Sequence, residues 1–139
     1  MSTSPPYDPN NVFARILRGE LPCKKVFENE FALAFEDIQP AAPVHVLVIP
    51  KGEFVSSDDF FATASEAMQA GFWRAVGAVA RQTGVDRTGY RIVANHGADA
   101  NQIVFHFHVH VIGGRPLSAK MAQMPRHDMP SEAKMAERK

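Results

Sequence analysis

Val104-Phe105-His106-Phe107-His108-Val109-His110-Val111-Ile112, closed at once by Gly113-Gly114, is the stretch on which the fold turns. Aromatic and β-branched residues favour a strand, and side chains alternate between the two faces of a strand. His106, His108 and His110 therefore project from one side, while Phe105, Phe107, Val109 and Val111 cover the other. A row of imidazoles backed by an apolar face describes a site carried on a rigid element. Three roles are open to such a row. Structural histidines are the default for a single imidazole, yet packing gives no reason for three at strict two-residue spacing. Metal ligation is the second role, since a His-X-His pair on a strand can hold zinc. The outer two Cα atoms, however, lie about 13 Å apart at a strand's rise per residue, awkward for three ligands on one tetrahedral ion. The third role is nucleophilic and acid–base chemistry on an anionic substrate, with one imidazole attacking while its neighbours orient it or hold charge. The spacing favours this third role.

The chain of 139 residues is one domain's worth, and a domain of this size hides roughly two thirds of the surface its unfolded chain exposes. Fifteen basic and fifteen acidic side chains cancel, so no global field favours nucleic acid or an anionic membrane, and any phosphate binding must be local. The single cysteine, Cys23, excludes an internal disulfide framework and a multi-cysteine zinc site. The N-terminus has neither a basic region nor an apolar run, and no later stretch approaches the length of a membrane span. The expectation is a soluble, cytoplasmic protein.

Outward from the histidine strand, residues 1–10 carry three prolines and no apolar periodicity, the pattern of a flexible lead-in. Asn10 or Asn11 can cap a short helix that places Val12, Phe13, Ile16 and Leu17 on one face and ends at Gly19. Residues 24–28 and 31–36 read as a hairpin around Asn29-Glu30, with Phe31, Leu33 and Phe35 on one face of the second strand. Asp37-Ile38-Gln39-Pro40-Ala41-Ala42-Pro43 is too proline-rich for regular structure, and a carboxylate there serves as a turn-former bonded to nearby amides or as a ligand group. Residues 44–49 form a strand with His45 opposite Val44 and Val46. Ser56-Ser57-Asp58-Asp59 opens one long helix, in which Phe61, Ser65, Met68, Phe72, Val76 and Val79 recur at helical spacing until Gly84. That stripe is core or dimer interface. Residues 89–95 form a further strand and residues 96–102 a loop into the histidine strand.

The run His-φ-His-φ-His-φ-φ, with φ apolar, resembles the signature of the histidine triad (HIT) superfamily, and Gly113-Gly114-Arg115-Pro116-Leu117 is similar to the continuation in its Hint branch. The match extends through Asn95-His96-Gly97, Asp37-Ile38-Gln39-Pro40, the stretch from His45 to Lys51 and the stretch from Phe13 to Pro22. It implies an α+β domain over residues 11–117, with about five mainly antiparallel strands, one long and one short helix, and a sheet continued across a homodimer. Residues 118–139 form a partly ordered or disordered tail. The resemblance further implies a purine nucleoside phosphoramidase acting on AMP joined to an amine, with no metal and no organic cofactor. His108 would be the nucleophile, His110 would hold phosphate and assist proton transfer, and His106 and His45 would fix ring orientation. Phe13, Ile16 and Leu21 would line a base pocket with Ile38 beside the base, and Asp37 would take the ribose hydroxyls. Phe35, Asn95, Asn101, Gln102 and Ile103, with His108 and His110, would complete the nucleotide-binding set.

Three departures stand against the family pattern. Ala100-Asn101 replaces two glycines, although Asn tolerates the left-handed conformation that such a turn needs. Ile103 stands where a hydroxyl or another polar group is common, and it can neither give nor relay a proton. No aromatic follows Phe107, so an aromatic tail contact with a partner's site cannot be carried over. Ile103 favours an alternative of another class, a nucleotide-binding module with weak catalysis that acts through a protein partner.

Overall fold

The computed structural model describes residues 4–119. Five antiparallel strands form one sheet in the order β1-β2-β3-β5-β4, from β1 (Lys25–Glu28), β2 (Ala32–Glu36), β3 (Val44–Pro50), β4 (Tyr90–Val93) and β5 (Val109–Gly113). Among the described residues three α-helices accompany it: α1 (Val12–Leu17), α2 (Ser57–Thr63) and α3 (Glu66–Thr83). No helix among the described residues is long and apolar enough to cross a membrane.

Alternation along the strands separates two cores. On one face Ala32, Ala34, Val46, Val48, Val109 and Val111 meet Phe72, Val76 and Val79 of α3. Alanines beneath the helix let it lie close, and Phe60, Phe72 and Phe107 interlock with ring centroids 4.8 to 5.2 Å apart. Such aromatic pairs add about 0.5–1.5 kcal/mol each beyond their buried area. On the other face Leu33, Phe35, Leu47 and Ile49 receive Val12, Phe13 and Ile16 of α1. Asn11 caps α1 as expected, its side-chain oxygen accepting from the Ala14 amide.

The expected elements are present with four shifts in their bounds. The histidine strand begins at Val109 rather than Val104. Val48 pairs with Val109, so two residues further on Phe107 would face Pro50, which has no N–H to donate. The Phe107 amide donates instead to Phe54 O. The long helix is two helices, because Ser65 leaves helical geometry and caps α3 through the Met68 amide; a serine hydroxyl competes for backbone donors in this way. Phe31 lies outside β2 and packs towards Gly71 of α3, away from Leu33 and Phe35. The strand expected over residues 89–95 is confined to Tyr90–Val93.

Beyond β5 the chain turns at Gly114, with φ +92°, where a Cβ would lie 3.0 Å from Pro43 Cβ. The turn delivers Arg115, whose Nη2 donates to Ala41 O and ties the end of β5 to the proline-rich loop.

Candidate functional site

His110 on β5 pairs across the sheet with Leu47, and His45 on β3 pairs with Ile112, so the two histidines are diagonal neighbours on the α1 face. Their bonds fix their protons. The Ala41 amide donates to His45 Nδ1 at 2.9 Å, so that nitrogen offers its lone pair and the neutral ring carries its hydrogen on Nε2. His45 Nε2 donates to His110 Nδ1 at 2.9 Å, which leaves the His110 proton on Nε2. Asp37 Oδ2 lies 3.3 Å from His45 Nε2, with both side chains buried. The other carboxylate oxygen accepts from the Gln39 amide, and the Asp37 amide donates to His45 O.

The second pair is built off the ladder. His106 Nε2 donates to Pro50 O at 2.9 Å, because a carbonyl can only accept. His108 Nδ1 donates to His106 O at 2.8 Å, so the His108 lone pair is on Nε2. Phe13 stands edge-to-face beneath His108 with centroids 5.0 Å apart, and the His108 and His110 rings are 5.3 Å apart. All four histidines are buried. Burial, more than the neighbouring His108, pushes His106 down to about 4, against the Pro50 bond that raises it. The arrangement holds a nucleophilic lone pair beside a hydrogen-bond donor in a dry setting, which suits attack on an electrophile that develops negative charge.

Asp37, His45 and His110 bring their donor atoms within 4.8 Å of one another, close enough to suggest a metal site. The proton positions argue against that use. With the Ala41 amide on Nδ1, His45 Nε2 bears hydrogen and has no lone pair for an ion. The cluster is a chain of hydrogen bonds leading to His110.

The remaining expected residues fall into three groups. Phe13, Ile16 and Phe35 are buried in the α1-side core, with Leu21 and Ile38 packed half-buried against it. Ile38 and Asp37 also line a cleft of about 550 Å³ with Pro22, Cys23, Lys24 and Pro40, within the size range of small-ligand sites. Asn101 does adopt the left-handed conformation, with φ +61°. Gln102 is buried with its amide bonded inside the protein: Nε2 donates to Val55 O and Val104 O, and Oε1 accepts from the Gly97 amide. Gln102 thus braces the loop. Ile103 is half-buried outside the sheet, and Asn95 is half-buried two residues past Val93, the β4 partner of His110. The tail from residue 120 onward lies outside the described residues.

Sequence reasoning missed Tyr7. Its hydroxyl reaches His106 Nδ1 from within the segment expected as a lead-in. The one signal for it was an isolated aromatic residue between prolines just ahead of a helix cap.

Comparison with known proteins agrees with the fold. The HIT domain family model matches residues 18–117. A 13.2 kDa HIT-like protein of Azospirillum brasilense is 66% identical over 111 residues, spanning 80% of this chain and 91% of that one. A histidine triad protein from Clostridium difficile superposes with a TM-score of 0.74 at 34% identity, covering 81% of this chain and 97% of that one. A HIT family hydrolase from Legionella pneumophila gives 0.72 at 35% identity, covering 79% and 97%.

Proposed function

The chain belongs to the HIT domain family, and on that premise we propose that it is a nucleotide hydrolase cleaving the P–N bond of adenosine 5′-phosphoramidates through a nucleotidyl-histidine intermediate. The observation that carries this reading is the complementary state of two adjacent rings, a lone pair on His108 Nε2 beside an N–H on His110 Nε2. His108 Nε2 attacks the α-phosphorus; a bond from nitrogen to phosphorus forms as the bond to the amine breaks. The amine leaves with the electron pair and takes a proton, for which His110, backed by His45, is the source. Water then attacks phosphorus, the bond to His108 breaks, the water proton returns to His110, and AMP departs. Proton transfer of this kind contributes roughly 10²–10⁴-fold. A neutral imidazole is a sufficient nucleophile, so the scheme calls on no metal or organic cofactor. The cleft at Asp37 and Ile38 supports a nucleoside nearby; for Asp37 to take the ribose hydroxyls, its carboxylate must turn away from His45.

Ile103 favours a second reading, a nucleotide-binding module acting through a protein partner, because a butyl side chain cannot help a leaving amine. Incubation with the AMP amide of an alkyl amine separates the two. More than one AMP released per site, with labelled nucleotide trapped on the protein by acid, supports hydrolysis; release that stops at one per site supports the binding module. His108→Asn should abolish turnover while AMP affinity stays within a few-fold, since the nucleophile acts in the chemical step. Wild-type rates in that variant would move the nucleophile elsewhere.

A further inference from the structure

Tyr7 precedes α1 and lies outside residues 18–117, the span matched by the HIT domain model. Its hydroxyl is nonetheless 2.8 Å from His106 Nδ1, and its ring stands edge-on to that imidazole with centroids 5.7 Å apart. The direction of the bond follows from the other side of the ring. Because His106 Nε2 donates to Pro50 O, Nδ1 carries the lone pair, and the phenol must be the donor. Burial pushes the Tyr7 hydroxyl pKa up, so the proton stays on oxygen. Both nitrogens of a fully buried imidazole are thereby bonded, and its position is set from two directions. The segment that carries Tyr7 is itself tied down: Asn11 Nδ2 donates to Asp8 O, and Arg18 Nη1 donates to Pro9 O.

His106 in turn governs His108. The His106 carbonyl accepts the His108 Nδ1 proton, and a ring that carries its hydrogen on Nδ1 keeps its lone pair on Nε2. We propose that Tyr7 is a positioning residue for the attacking imidazole: the segment ahead of α1 latches onto His106, and through the His106 carbonyl it holds His108 in the tautomer that exposes Nε2. The catalytic part of this inference rests on the reading of His108 as nucleophile; the tautomer part does not.

Full-length wild type and Tyr7→Phe, labelled with ¹⁵N-histidine, test both parts. In Tyr7→Phe the His106 Nδ1 resonance should move towards that of a bare lone-pair nitrogen, and the His108 resonances should show loss of the single Nδ1–H form. With the AMP amide of an alkyl amine, kcat should fall about five-fold, the effect of one ordinary hydrogen bond on orientation, while KM stays unchanged. A chain made with 3-fluorotyrosine, a stronger donor of nearly the same shape, should move the His106 resonance the opposite way, which covers the case of a poorly folded Phe variant. An unmoved His106 resonance in both proteins would overturn the latch. A moved His106 resonance with His108 still wholly in the Nδ1–H form and kcat unchanged would overturn the positioning role. If wild type shows no turnover, the hydrolase reading fails, and the two sets of resonances still decide for or against the latch.

Discussion

His106 is neutral in the fold because a protonated ring would sit without water against Phe13 and Tyr7. It titrates at about 4 in the folded protein against an ordinary 6.5. Between those two values the unfolded chain binds a proton that the folded chain refuses, so stability is fully present above the upper value and declines as pH falls to the lower. At 1.36 kcal/mol per pH unit the decline from this group is about 3 kcal/mol. Urea unfolding at neutral pH and at several acid pH values should show this slope in wild type and a reduced one in His106→Asn; equal slopes would assign the acid sensitivity to other groups. At this scale the triad was legible because period-two spacing declares a shared face without any tertiary knowledge. Tyr7 was not, since its partner is 99 residues away and no local pattern encodes so distant a contact. Asp37 was legible only as a choice between turn and ligand; its carboxylate accepts the Gln39 amide and turns inward to His45.

Two glycines of α3 make opposite demands on the same helix. A Cβ on Gly71 would lie 2.0 Å from Phe31 Cδ2, whereas one on Gly77 would meet only the movable guanidinium of Arg81, at 3.4 Å. Alanine improves helix propensity by about 1 kcal/mol at either site, but overpacking costs about 1–3 kcal/mol. Gly77→Ala should raise the melting temperature and Gly71→Ala should lower it; a gain in both would mean that Phe31 moves aside freely. Helix and strand types followed from apolar periodicity, and the bounds did not. The break at Ser65 depends on a hydroxyl choosing to cap rather than continue, and the late start of β5 depends on Pro50 two strand positions beyond Val48. Neither is visible in the periodicity of its own segment.

At the level of the whole molecule, β4 forms one of the two edges of the sheet among the described residues. Tyr90 is 40% and Ile92 47% exposed on β4, and Trp73 of α3 is 37% exposed. Phe72 and Val76, which sequence reasoning offered as a possible interface, are buried in the core, so charge there unfolds the chain rather than dividing an assembly. An apolar edge strand invites pairing with a second copy. Light scattering should return twice the mass of one chain, and Ile92→Lys should return the mass of one; a wild-type monomer would end the dimer proposal. The order β1-β2-β3-β5-β4 carries a consequence for biosynthesis. Its last-made strand enters between two strands already synthesised, and it brings His110 to His45 across 65 residues of chain. On the ribosome β4 has no neighbour in the sheet until β5 emerges, so a nascent chain can complete neither its sheet nor its histidine relay first. Closure of the fold and assembly of the reactive centre are one event, and a chain stalled before residue 109 would hold His45, His106 and His108 without the His110 that completes the relay.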